Sequence, residues 1–533
     1  MLAGNHGRAK GSRYISLLLL LVLCATLVAL YWNVRYGGRQ MDGDAVRLGL
    51  PAEGMVLEGR LVTTHRAYYS GYAYSVTLAF LSSLTDLPVP ALQLNAVFWL
   101  PVFALTSFVA YRALLGESPA ALLAALLLLV QPDLLFYVLR SSHEKMTWFL
   151  ALLLLYLLAR SFSSALGIMQ RAAYIGLFYG LFWAMVATNA FFGASFLAPI
   201  AISLLLGRAL SAVLRLFREQ ELLRAVDWRR LFLISAACFI IVYLFITYVY
   251  KPAYYYYFEI PRALGRVNAL VLGGEVVNPS YEYVESTWRT PGLYLLLTSV
   301  QWVIALCSGA AWLLWAGRMW RQKGLAFDQS EWLPWLLYAG FVLQLLLGLV
   351  VALSGYIPNL YVRLFTPVVL LASPLSASLI VSAYRRAAPR TRRFAVPALA
   401  VIGGLALGAS LLKASNDPLV SNLWLFYSPA ELSAAQWTDA HVERSYIWMD
   451  TFPHLLDVLE FWKGYEWTTT NTYVTGSPGL DESRYVYALI SQLTRLQANR
   501  SGLILPGVLS RDRIYDSGEA SLYHRRPQTP YQR

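Results

Sequence analysis

The chain is poor in charge. Only 14% of its 533 residues are Asp, Glu, Lys or Arg, where a water-soluble domain carries about 25%. It has three cysteines, Cys24, Cys238 and Cys307, and all of them fall inside apolar runs. They make neither a disulfide framework nor a metal site, and read as small buried hydrophobes. No Walker loop, dinucleotide-binding glycine fingerprint or serine nucleophile elbow occurs in a fitting context. No short-period repeat is present, so solenoid architectures are excluded as well.

What the chain has in abundance is apolar surface. Hydrophobic residues make up 58% and the mean hydropathy is +0.50. Apolar runs of about twenty residues recur, the length needed to cross the hydrocarbon core. Long unbroken Leu, Ala and Val runs lack the alternation of a membrane barrel, which leaves helices as the spanning elements. About eleven spans are expected, near 14–32, 93–114, 119–138, 146–166, 172–193, 195–217, 231–250, 292–316, 333–354, 360–383 and 394–412. The close pair at 172–217 has to turn at 191–195.

The formal charge of +13 suggests nucleic acid only until its placement is considered. Residues 414–533 hold 10 Lys and Arg against 13 Asp and Glu, which leaves the rest of the chain near +16. That excess sits between apolar runs, at 208–230, 318–323 and 385–393, as positively charged cytoplasmic loops do. Arg8, Lys10 and Arg13 precede the first run. With no small-residue cleavage site, the run reads as a retained first helix rather than a signal peptide. The expected protein is a multi-pass cell-membrane protein with a cytoplasmic N-terminus. A transmembrane domain spans 1–413, with outer loops at 33–92 and 251–291. A small extracytoplasmic α/β domain follows at 414–533.

Local signals fill in the loops. Residues 68–84 are amphipathic and aromatic-rich, which suits a helix lying in the interface. In the C-terminal region, Ser428-Pro429-Ala430-Glu431 reads as a capping box with proline at the first helical position. Residues 445–450 and 484–488 read as strands, and 513–524 as a hairpin around Asp516-Ser517-Gly518.

Several polar groups are candidates for chemistry. Asp42 and Asp44 flank Gly43 in the first outer loop, where one acid can serve as general base or the two can hold a divalent cation. The plainer reading is an exposed turn, since turns use Asp and Gly. Arg140, Ser141, Ser142, His143, Glu144 and Lys145 form the whole connection between the third and fourth spans. They suit a phosphate site, or simply helix ends whose long side chains reach the headgroups. His143 and Glu144 do not make a zinc motif, because no second histidine follows at helical spacing. The second outer loop sets Arg262 and Arg266 beside Tyr254–Tyr257, a pattern that fits a phosphorylated or glycosylated lipid and fits an interfacial tyrosine belt at least as well. Arg363 opens the tenth span, either as a phosphate clamp or as an interface anchor. Asp133 and Asn189 lie inside spans, where polar groups generally face the bundle interior.

Taken in order along 14–384, these features resemble the GT-C superfamily of lipid-phosphosugar-dependent glycosyltransferases, in particular its protein-mannosyltransferase-like branch. The resemblance rests on four elements. A first span is followed by the acidic loop with Asp42 and Asp44. Thr64-His65-Arg66-Ala67-Tyr68-Tyr69 leads into an interfacial helix, where relatives often carry His-Pro-Pro. The segment from Gly180 to Asn189 is similar to a recurrent one, although many members have lysine at the position of Asn189. Arg363 and Pro367 resemble an Arg-Tyr…Pro element.

The resemblance implies a polyprenyl-phosphate-linked sugar as donor and a hydroxyl-bearing glycan, lipid or protein as acceptor. It implies Asp44 or Asp42 as the base, and Arg363 with Arg140 or Lys145 as ligands of the donor phosphate. His143, Glu144, His65, Arg262 and Arg266 are further site candidates. No cofactor is required, and a divalent cation at Asp42 and Asp44 is compatible with the pattern. Two other classes stay open. A lipid or glycan transporter or flippase predicts internal pseudo-symmetry and broken helices. A glycan polymerase or ligase puts its largest loop late in the chain.

Overall fold

The computed structural model describes residues 5–35, 43–61, 68, 70–218, 227–273, 291–321, 329–356, 360–415, 429–442, 448–450, 487–491 and 512–524. Asp42 and His65 lie outside these residues, and of Asp44 only the backbone is described.

A helix stands at each of the eleven expected positions. They are α1 (Asn5–Arg35), α5 (Trp99–Leu115), α6 with α7 (Ser118–Leu129 and Pro132–Leu139), α8 (Glu144–Phe162), α9 (Ile168–Thr188), α10 (Ala190–Arg218), α11 (Trp228–Leu244), α13 (Pro291–Arg321), α14 (Gln329–Leu353), α15 (Leu360–Arg386) and α16 (Pro389–Ala414). Among the described residues, eight helices are long and apolar enough to cross a membrane, or nine if the bent pair α6–α7 is one span. The second expected span is shorter than read from sequence, because a short helix α4 (Val89–Asn95) and a 3-10 turn (Ala96–Phe98) precede α5. Large apolar side chains such as Leu306, Leu313 and Leu405 stand exposed on the outside of the bundle. In water such a surface would aggregate, so here it is the lipid-facing one. On α16 only 6% of the span is buried within the protein. The protein is a multi-pass membrane protein.

The third span is broken, and its sequence explains the break. Proline at 132 has no N–H and pushes the residue before it out of the helical region. Gln131 is accordingly extended (φ −88°, ψ 111°) and Pro132 opens α7. The two halves meet at 74°. The turn between α9 and α10 lies at Asn189 and not at 191–195 as read from sequence. Asn189 alone is extended (φ −156°, ψ 100°). Its side-chain oxygen accepts the N–H of Phe192 at 3.2 Å, so one residue ends α9 and caps α10.

The first loop carries more helix than its sequence suggests. The helix α2 (Gly43–Glu58) starts at the acidic segment, and α3 (Ala73–Thr85) is the amphipathic stretch, beginning five residues later than expected. Asp44 therefore occupies the first turn of a helix, where a carboxylate favours the dipole, rather than a β-turn. Leu48, Ala52 and Met55 of α2 are buried against Tyr74, Leu78 and Ala79 of α3. Buried Gln93 donates to the Ala45 carbonyl at 2.9 Å, which fixes the backbone beside Asp44. The second loop also holds a helix, α12 (Tyr255–Val271).

In the C-terminal region, α17 (Pro429–His441) starts at the capping signal. The strands β1 (Trp448–Asp450), β2 (Tyr487–Ser491), β3 (Asp512–Asp516) and β4 (Ala520–His524) form a sheet of order β1-β2-β4-β3. Only β1 and β2 are parallel. β2 begins three residues later than its sequence suggested. The β3–β4 turn places Gly518 at φ +87°, which glycine adopts without strain. Trp437 of α17 stacks on Tyr515 of β3 at 4.8 Å.

Candidate active site

The segment between α7 and α8 connects two spans, and the structure buries it. Arg140, Ser141 and Ser142 have no exposed surface, and His143 and Lys145 are nearly as enclosed. These side chains therefore do not reach headgroups as free helix-end residues do. A buried guanidinium has to be paired. Arg140 Nε donates to Ser142 Oγ at 2.9 Å and to Glu144 Oε2 at 3.3 Å. Its Nη2 forms a close ion pair with Glu144 Oε1, and Ser142 Oγ donates to Glu144 Oε2. The guanidinium also lies over the rings of Phe136 and Tyr137, at 5.5 and 5.6 Å.

His143 joins this knot to the α9–α10 break. Its Nε2 lies 2.6 Å from Asn189 Nδ2. Amide nitrogens only donate, so Nε2 is the acceptor and the ring proton sits on Nδ1, which is 3.6 Å from Glu144 Oε2. Tyr68 and Tyr74 flank the imidazole at 5.1 and 6.5 Å. Tyr74 also belongs to the α2–α3 cluster, which sets the helix carrying Asp44 beside this knot.

The two loops are tied together over the same place. Ala190 N–H donates to the Ser70 carbonyl at 2.6 Å and Tyr72 N–H to the Ala187 carbonyl at 2.9 Å. Gly71 lies so close to the break that a Cβ would sit 2.6 Å from the Thr188 carbonyl oxygen, and nearer still to that of Ala187. Tyr250, at the end of the seventh span, donates to the Tyr68 carbonyl at 2.7 Å, and from the second loop the hydroxyl of Tyr256 lies 2.7 Å from that of Ser70. These two tyrosines hold the first loop down, and for Tyr256 this is a role the tyrosine-belt reading does not give it. Arg262 is half-committed elsewhere, paired with Glu259 at 2.9 Å, and Arg266 is exposed. Neither joins the knot among the described residues.

Arg363 is exposed at the start of α15. Pro367, one turn on from Arg363, lines a small cavity with Thr147 and Trp148 of α8, and Tyr137 lies within electrostatic reach of Asp133, Arg140, Arg363 and Glu144, so the start of α15 lies near the 140–145 segment. In sequence Lys413 is one more basic residue closing an apolar run, and nothing local marks it as a site residue. It is 97% buried and paired with Asp133 of α7. One end of the bundle thus holds Arg140, Lys145, Arg363 and Lys413 against Glu144 and Asp133. Among the described residues no three metal-ligating side chains cluster; the side chains of Asp42 and Asp44 are outside that set.

No protein-family model matches the sequence, and no curated protein matches it. Solved structures do match in three dimensions. ArnT from Cupriavidus metallidurans, bound to undecaprenyl phosphate, aligns over 96% of this chain and 99% of its own, with a TM-score of 0.54 and 14% identity. The archaeal oligosaccharyltransferase AglB from Archaeoglobus fulgidus, in complex with an inhibitory peptide and a dolichol-phosphate, aligns over 98% of this chain and 75% of its own. Its TM-score is 0.60 and its identity 11%. The chain has the GT-C fold. In this chain the early loop with α2 and α3, the broken third span and the late span carrying Arg363 converge on one end of the bundle.

Proposed function

We propose that the protein is a membrane glycosyltransferase that moves a sugar from a polyprenyl-phosphate donor to a hydroxyl acceptor. The reading rests on Arg140 and Arg363 both lying within electrostatic reach of Tyr137, with Lys145 buried in the same connecting segment as Arg140, in a fold whose solved examples hold undecaprenyl phosphate and dolichol-phosphate. The site is put on the extracytoplasmic side, because the arginine-rich loops belong at the opposite end of the bundle.

The chemistry follows from the charges. The acceptor oxygen attacks the anomeric carbon, and the bond from that carbon to the phosphate oxygen breaks. Its electron pair leaves with the polyprenyl phosphate, which gains a second negative charge. Arg363 and Lys145 offset that charge as it develops. Arg140, whose Nε and Nη2 are engaged by Ser142 and Glu144, holds the 140–145 segment in shape. The acceptor proton goes to Asp44, with Asp42 as the second choice.

Asp44→Asn keeps the shape but removes the proton acceptor. Turnover of a polyprenyl-phosphate sugar falls about 10²-fold or more, while donor binding survives. Arg363→Gln does the reverse, weakening donor binding by about 1–3 kcal/mol. Full activity in both Asp44→Asn and Asp42→Asn overturns the base assignment. Donor translocation without transfer to any acceptor points instead to a transporter.

A further inference from the structure

The end of the bundle away from the candidate active site holds a second opening. It is a cavity of about 600 Å³ between α13, α14 and α15. Its lining divides by chemistry. Leu313, Leu314 and Leu379 line one part, and Arg318 and Arg386 the other, with Ser378 and Ser382 between. At 1.5 Å of rise per residue, the leucines sit roughly 6–10 Å deeper along their helices than the arginines. Leu313 and Leu314 are 67% and 61% exposed, so the apolar part opens sideways, toward lipid.

Among the described residues the fold makes no use of the two arginines. Neighbouring Arg385 is paired with Glu117 at 2.6 Å, and Arg230 with Asp227 at 3.0 Å. Among the described residues, Arg318 and Arg386 have no acidic partner, and the hydroxyls of Ser378 and Ser382 make no hydrogen bond. The Trp315 indole N–H, in the wall of the cavity, has no acceptor either. Cations and hydroxyl donors at the mouth call for an anion with several acceptor oxygens, and the leucines below it call for a hydrocarbon chain.

We infer that this cavity binds an anionic phospholipid of the leaflet on the arginine-rich side. The phosphate lies between Arg318 and Arg386, and an acyl chain runs along Leu313, Leu314 and Leu379. The site is separate from the donor site: Arg386 and Arg363 are 23 residues apart on α15, or about 35 Å along the helix axis, a full membrane thickness. A soluble phosphate ester fits the arginines and leaves the apolar half empty. Basic residues close to a bilayer surface attract anionic lipid, which favours such a lipid as the occupant.

The test uses the full chain in nanodiscs of phosphatidylcholine with a minor share of phosphatidylglycerol, with retained lipids counted by native mass spectrometry. Arg318→Gln with Arg386→Gln loses one phosphatidylglycerol, on the order of a tenfold weaker retention. Arg318→Lys with Arg386→Lys keeps it. Arg390→Gln with Arg393→Gln, exposed on the same face and outside the cavity, keeps it too. Unchanged retention in the cavity variant overturns the inference, and so does an equal loss in the Arg390/Arg393 variant, which makes the binding diffuse surface charge. Displacement by soluble glycerol 3-phosphate at concentrations matching the lipid also overturns it, since the leucines then contribute nothing.

Discussion

Removing the guanidinium of Arg140 isolates a carboxylate that the fold has enclosed. Glu144 is only 8% exposed at its side chain, and Arg140 not at all. In Arg140→Met, Glu144 keeps the Ser142 hydroxyl and faces the His143 Nδ1 at 3.6 Å, but loses two contacts to a full positive charge. Breaking one side of a buried pair costs about 3–5 kcal/mol, because the remaining charge is left uncompensated. Glu144→Leu strands the guanidinium and costs a similar amount. Replacing both by apolar residues removes both charges, which is often neutral. The double variant Arg140→Met/Glu144→Leu is therefore more stable than either single one, with a coupling energy above about 2 kcal/mol. Unfolding free energies from detergent titration in mixed micelles measure all four corners of the cycle. Single variants within about 1 kcal/mol of the parent, or a double variant equal to their sum, would show that the pair is not energetically buried. Such a result would mean that water reaches the pair and screens it.

Three other expectations follow from the same geometry. Gly71→Ala forces a methyl group onto the carbonyls at the end of α9 and destabilises by about 1–3 kcal/mol, read as a lower detergent-unfolding midpoint, with the first loop detaching before the spans unfold. The hydrogen bond from Tyr356 holds the Glu259 carboxyl below its ordinary value of 4.5. A depressed pKa stabilises fully above the unfolded value and is lost as pH falls through the folded one, so a spin label at position 266 is restrained at neutral pH and freed well below pH 4.5, and Tyr356→Phe frees it at neutral pH. Cysteines placed at Ser211 and Pro389 resist a membrane-impermeant reagent from outside while those at Ser280 and Ser477 react; labelling of Pro389 reverses the proposed orientation.

Hydropathy was enough to show a multi-pass helical membrane protein and roughly where its long apolar helices lie, because crossing a bilayer constrains about twenty residues at a time. Placement of the basic clusters between runs, the capping sequence at Pro429 and the hairpin at Asp516–Gly518 were legible for the same reason: each is a local rule. The 140–145 segment was legible as a charged connection between two spans. Its burial was not, since Arg140 next to a span end looks the same in sequence whether its partner is a headgroup or Glu144. That burial comes from the packing of Tyr68 and Gly71 over the Asn189 break, where close approach depends on a residue without Cβ. The tertiary structure decided likewise that Lys413 turns inward to Asp133, 280 residues away in sequence, and that Arg363 comes to the same end as Arg140. A charge inside a membrane protein must find its partner through space, and sequence spacing carries no record of which distant residue supplies it.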